Sequence, residues 1–239
     1  MSISYHHTED VYNMAAPREV VPIIMELIKP KSVLDVGCGT GTWLKAFEEA
    51  GVEHYYGLDG HYVKESQLQI PHKKFIVTDF SKQWAINEEF DLVVSLEVAE
   101  HLPESSADTF VKSLTLHGDV ILFSAAIPGQ GGQGHLNEQW PEYWQQKFGA
   151  HGFYFHDIIR PLIWDNEKVN WWYRQNIFLV DRNKENATQT LSKVHPDLFK
   201  LNVKNELAYK ESLTHGKQGL RTSTTIFFNA LKFKLRNLF

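Results

Sequence analysis

Apolar residues recur at helical spacing near the start of the chain. Val20, Val21, Ile24, Leu27 and Ile28 share a face after Pro17, and Pro30 closes the segment, so the pattern predicts a helix. Short apolar runs of strand length follow. SVLDV at 32–36 leads into a glycine-rich turn, 42–50 reads as a helix ended by Gly51, and 54–58 predicts a second strand that stops at Asp59. Residues 74–78 predict a third strand stopping at Asp79, and 90–96 a fourth, as apolar as a strand buried in a parallel sheet. Ser105 or Ser106 is the expected N-cap of the next helix, which turns Phe110, Val111 and Leu114 inward. A fifth strand is expected at 119–123 and a helix from Pro141. Two last strands are expected at 153–159 and 175–180, close together as in a hairpin-like edge.

Strands alternating with helices predict an α/β three-layer sandwich around a mostly parallel sheet. The alternation fills 1–182; residues 183–239 lose it, are richer in Asn, Lys and Thr, and read as a helical C-terminal extension. The net charge of -5 does not favour a nucleic-acid partner. One cysteine, Cys38, allows no internal disulfide, and the polar N-terminus lacks a leader pattern. No apolar run reaches the roughly 20 residues of a membrane span. These features together predict a cytoplasmic protein.

The candidate chemistry starts at Asp35, Gly37, Cys38, Gly39 and Gly41, between the first strand and its helix. Glycines there allow a tight turn and close approach of a ligand, and a helix start offers N–H groups to it. Asp59, at the end of the next strand, stands where a carboxylate holds ribose hydroxyls. Ligands of open α/β sheets bind at the carboxyl ends of the strands, so both acids face one crevice. The glycines are spaced GxGxG, against the GxGxxG of dinucleotide-binding dehydrogenases.

VLDVGCGTGTW resembles the first motif of class I methyltransferases, which use S-adenosylmethionine on a seven-stranded, Rossmann-like sheet. The resemblance covers roughly residues 15 to 182. It implies that Asp35, Gly37, Cys38, Gly39 and Gly41 wrap the methionine part of S-adenosylmethionine, that Asp59 takes its ribose, and that Asp79 and Phe80 meet its adenine. Leu96 and Glu97 would lie under the cofactor and beside the acceptor. EVAEH at 97–101 is similar to the E-x-x-E-H of metal-dependent O-methyltransferases, including ubiquinone-pathway and small-RNA 2′-O-methyltransferases. A helical turn there puts Glu97, Glu100 and His101 on one face. With His135 they form a candidate site for a divalent metal. Without metal, Glu97, His101 and His135 remain candidate catalytic groups.

His135 sits in GQGGQGHLNE at 129–138, a glycine-rich loop at the functional rim and suited to closing over an acceptor. Asn137 and Glu138 are candidates to bind acceptor hydroxyls, and Trp172, in the aromatic run 171–173, to cover a sugar ring. Trp140, Tyr143, Trp144 and Phe148 lie at helical spacing and read as core packing. In the tail, Phe227, Leu231, Leu235 and Leu238 share a helical face and Lys232, Lys234 and Arg236 lie elsewhere. Such a basic amphipathic helix is expected to dock on its own domain or a second subunit, with a membrane surface as the alternative. The stretch from SLEVAEHLPE to GHLNEQWPEYW looks like bacterial methyltransferases of sugar and surface-polysaccharide pathways. The expected acceptor is a small molecule, a hydroxyl of a sugar or of a nucleotide- or lipid-linked sugar. The alternatives are an amino-sugar nitrogen, an RNA 2′-hydroxyl, or a module that binds S-adenosylmethionine without catalysis.

Overall fold

A computed structural model describes residues 13–188 and 192–236. Two compact units emerge, Met1–Lys193 and Val194–Phe239. In the first, α1 (Ala15–Leu27), β1 (Ser32–Val36), α2 (Thr42–Glu49), β2 (His54–Asp59), β3 (Phe75–Val77), β4 (Leu92–Leu96), α3 (Ala107–Thr115) and β5 (Val120–Ser124) follow the expected alternation. Next come α4 (Pro141–Gly149), β6 (Tyr154–His156), α5 (Arg160–Ile163), α6 (Trp171–Asn176) and β7 (Phe178–Asp181). The seven strands are ordered β3-β2-β1-β4-β5-β7-β6. β1 to β5 pair in parallel, while β7 runs antiparallel to both β5 and β6.

The sheet is buried on both faces, and successive strand residues alternate between two cores. Val33, Leu92, Val94, Leu122 and Leu179 pack against Val20, Val21 and Ile24 of α1 and Leu44 and Phe47 of α2. Leu34, Val93, Ile121, Phe123 and Val180 pack on the other side against Phe110, Val111 and Leu114 of α3 and Trp144 and Phe148 of α4. A period of two within strands and of three to four within helices therefore produces the three layers.

Several local expectations change. Residues 153–159 keep only a short strand, because the chain turns at Asp157, whose carboxylate receives the buried Arg160 guanidinium at 2.7 and 2.5 Å. Residues 175–177 are not strand: α6 carries the aromatic run to Asn176, and β7 starts at Phe178. Ser106 stands at the N-cap of α3 without a side-chain cap bond; its hydroxyl donates to the Ser81 carbonyl at 3.4 Å.

The boundary between units also falls later than 182. The Thr188 N–H donates to the Phe155 carbonyl at 3.2 Å, the Ser192 hydroxyl to Glu142 at 2.8 Å, and Lys193 reaches Asp157 at 3.4 Å. These bonds tie the segment after β7 to the sheet domain. The second unit holds α7 (Pro196–Thr214) and α8 (Leu220–Arg236). Leu238 lies outside the described residues. No described helix is long and apolar enough to cross a membrane.

Candidate active site

The turn after β1 explains its glycines. Gly37, Gly39 and Gly41 have φ of 84°, 53° and 86°, a region that side chains with a Cβ avoid. A Cβ on Gly37 would also collide with the Val98 side chain. Four of the turn's own N–H groups are used inside the protein. Gly37 and Cys38 donate to the Leu58 carbonyl at 2.7 and 3.0 Å, Gly39 to Asp59 Oδ2 at 2.6 Å, and Gly41 to the Cys38 carbonyl at 2.8 Å. The cradle is thus locked by β2 before any ligand arrives. Cys38 is a packing residue, buried in the core beside Leu44 and close to Gly57.

The carboxylates at this rim differ in how they are held. Asp59 accepts from both Gly39 and Gly60 N–H at 2.6 Å. Asp35 is 3% exposed, and its Oδ2 has no hydrogen-bond partner. Burial, with the nearby charge of Asp59 adding to it, raises the Asp35 carboxyl well above the usual carboxylate range. The Thr40 hydroxyl is also buried without a partner. An unpartnered buried acid invites a cationic donor, as an ammonium group would supply. Asp79 is exposed and bonded to Ser81 and Lys82, and Phe80 is buried against Trp84 and Phe110. Leu96 closes β4 within the core formed with α1 and α2.

At the end of β4 the backbone turns sharply. Glu97 has φ of 56°, strained for a residue with a Cβ, and its N–H donates to the Ser124 hydroxyl at 3.0 Å. The turn sends the Glu97 carboxylate into a buried amide network. Gln130 Nε2 donates to it at 2.7 Å and Asn176 Nδ2 at 3.0 Å; Asn176 Nδ2 also reaches Gln130 Oε1 at 2.9 Å, and Gln175 Nε2 donates to Asn176 Oδ1 at 3.1 Å. Burial raises the Glu97 carboxyl, and the bonds from Asn176, Gln130 and Ser124 oppose it. Three other residues bring their ligand atoms together as a candidate metal set.

That set is Glu100, His101 and His135, whose ligand atoms lie within 4.8 Å of one another. Glu100 is fully buried with neither carboxylate oxygen hydrogen-bonded, and burial followed by the charge of Glu97 raises it well above the usual range. Burial, with His135 adding to it, pushes the His101 imidazole down to about 4, so its ring is neutral at physiological pH. The His101 and His135 rings meet edge to face at 4.9 Å.

The glycine-rich loop is more tightly held than a mobile flap. Gly129 and Gly131 N–H donate to Glu138 at 2.8 and 2.7 Å, and His135 Nδ1 bonds to the same carboxylate at 2.8 Å. Glu138 is thus a clamp that orients His135. Leu136 and Asn137 N–H both donate to the Glu100 carbonyl at 2.8 and 3.0 Å, which brings this loop onto the turn after β4. Asn137 Oδ1 accepts from Gln139 at 2.8 Å, and its buried Nδ2 has no partner.

Trp172 is half-buried against the core beside α1 and α2. Its neighbour Tyr173 is the residue that the aromatic run concealed. The Tyr173 ring sits edge-on to Trp43 of α2 at 5.2 Å, and its hydroxyl is shifted upward by burial and, more weakly, by the charges of both Glu97 and Asp35. Gln130, Gln175 and Asn176 were missed as well. The signal was available: two amides at 175–176 are out of place in a buried strand.

A family model described as a methyltransferase domain matches residues 6–176. The ubiquinone biosynthesis O-methyltransferase of Actinobacillus pleuropneumoniae is 32% identical over 108 residues, which cover 41% of this chain and 46% of that protein. The chain thus spans about half the length of the curated relatives it matches. A solved S-adenosylmethionine-bound amino pentose methyltransferase from Micromonospora echinaspora superposes with a TM-score of 0.54 at 14% identity, over 75% of this chain and 98% of that one. The S-adenosylhomocysteine-bound magnesium protoporphyrin IX methyltransferase of Synechocystis gives 0.51 at 16% identity, over 75% and 89%. At such identities these two structures share the fold.

Proposed function

The chain belongs to the methyltransferase domain family, and from that premise we propose that it transfers a methyl group from S-adenosylmethionine to a hydroxyl of a small-molecule acceptor, a sugar or a nucleotide- or lipid-linked sugar. The observation that carries this reading is the buried Asp35 carboxylate, one oxygen of which has no partner, at the mouth of a glycine turn already locked by Asp59. S-adenosylmethionine, when bound, supplies a methyl group on a sulfonium that its positive charge has activated. Asp35 receives the ammonium end, Asp59 the ribose hydroxyls, and Asp79 with Phe80 the adenine. The chain's remaining task is alignment and proton removal. Glu97, fixed by Gln130 and Asn176, forms the floor of the acceptor side. His135, oriented by Glu138, is the base that accepts the acceptor's proton.

As an alternative to His135 acting as the base, the residues at 100, 101 and 135 fit a divalent metal. A buried carboxylate without hydrogen bonds and two nearby imidazoles are suitable donors, and a metal there would acidify an acceptor hydroxyl. Manganese or magnesium titrated into the protein should bind in calorimetry, and Glu100→Gln should abolish the signal.

The acceptor class is tested by methyl-transfer assays on nucleotide sugars, with and without added metal. Turnover on a sugar hydroxyl supports the reading, and silence across the panel with intact S-adenosylmethionine binding counts against a sugar. The relatives named as O-methyltransferases of ubiquinone biosynthesis favour an oxygen over a nitrogen as the acceptor atom.

A further inference from the structure

The second unit carries exposed apolar side chains on its last helix. α8 spans Leu220–Arg236, about 25 Å at the rise of an α-helix. Leu220, Phe227, Phe228 and Leu231 stand at i, i+7, i+8 and i+11 and so share one face. They are between 43% and 88% exposed. Phe227, Phe228 and Leu231 are neighbours on this face, with Leu220 two turns away at its start, and large apolar side chains exposed together mark an interaction surface. The cations border this row. Lys232 lies one turn beyond Phe228, Arg236 one turn beyond Lys232, Lys234 beside the line of Phe227, and Arg221 beside Leu220. None of the four has an ion-pair partner among the described residues. α8 contains no acid, and no Asp or Glu follows Glu211 in a chain whose net charge is -5.

Charge selects the occupant. A second copy of α8 packed on this face would bring the same cations together across a two-fold interface. An uncharged apolar groove would leave all four without counter-charge. An anionic lipid surface answers both features, because rings enter the acyl boundary while Lys and Arg stems reach back to phosphate groups. We propose that α8 is an interfacial helix that docks the protein on an anionic membrane surface through Leu220, Phe227, Phe228 and Leu231. Ile226 and Phe233 form a separate row on the far side of the helix and take no part.

Co-sedimentation of the full chain with phosphatidylcholine vesicles, with and without phosphatidylglycerol, tests the proposal. The chain should pellet with the anionic vesicles only and be released by salt. Replacing Lys232, Lys234 and Arg236 together by Gln should weaken binding roughly 100-fold, at about 1 kcal/mol per cation and 1.4 kcal/mol per decade. Phe227→Ser with Leu231→Ser should abolish it, and Phe233→Ser should leave it intact. All these positions are exposed, and unchanged helical circular dichroism and thermal unfolding identify folded variants. Absence of wild-type pelleting, or equal pelleting by wild type and the triple variant, overturns the proposal. So does a dimer in light scattering that Phe227→Ser dissolves, which would assign the face to a second copy.

Discussion

Asp35→Asn separates cofactor binding from stability. The wild-type carboxylate is buried, has one oxygen without a partner, and lies close enough to Asp59 to feel its charge. An acid whose folded pKa is raised retains a proton that the unfolded chain releases above about pH 4. Its contribution to stability is present below that pH and is lost as pH rises toward the folded value. Above that pH the folded protein bears the cost of holding the proton, which an isosteric amide avoids, so the variant should melt higher than the wild type at neutral pH. Binding should move the other way. An ammonium group bonded to a carboxylate contributes about 1.5–3 kcal/mol, so the amide should weaken S-adenosylhomocysteine binding roughly 10- to 150-fold. Wild-type binding should also tighten with rising pH, and its calorimetric enthalpy should depend on the buffer, because Asp35 gives up a proton to receive the ligand. Calorimetry and thermal unfolding on both proteins suffice. A folded variant that binds within threefold of wild type would remove Asp35 from the ammonium site, and a lower melting point would mean that the wild-type carboxylate is already paired.

Three other perturbations probe the frame of the site. Gly37→Ala places a Cβ against Val98 on a left-handed backbone and should cost about 3 kcal/mol in urea unfolding, partly restored by Val98→Ala. A double-mutant cycle of Glu97→Gln with Asn176→Leu should give a coupling of about 1.5–3 kcal/mol, since Asn176 donates to the Glu97 carboxylate at 3.0 Å; additive effects would show that the network does not hold Glu97. Glu138→Ala frees the N–H groups of Gly129 and Gly131 together with His135, and limited proteolysis of the 128–135 loop should accelerate roughly tenfold or more.

Most of the sheet was legible because its signals are local. The runs at 33–34, 92–94 and 121–123 are apolar throughout, as a strand covered on both faces must be. The glycines of the first turn were legible for the same reason, since each φ is a property of one residue. Asp35 and Asp59 could be placed in one crevice because parallel topology brings strand ends together.

The sequence by itself thus determined the layers, the turn and the family. Tertiary structure decided which groups remain available. Only the folded chain shows that β2 consumes the turn's N–H groups, that Glu97 is taken by Gln130 and Asn176, and that Glu138 clamps the loop. It likewise brings His135 to Glu100 and His101 across the intervening α3 and β5. The physical reason is that a buried polar group must find partners wherever the fold supplies them. Those partners lie far away in sequence, 33 and 79 residues from Glu97, where no local pattern reaches.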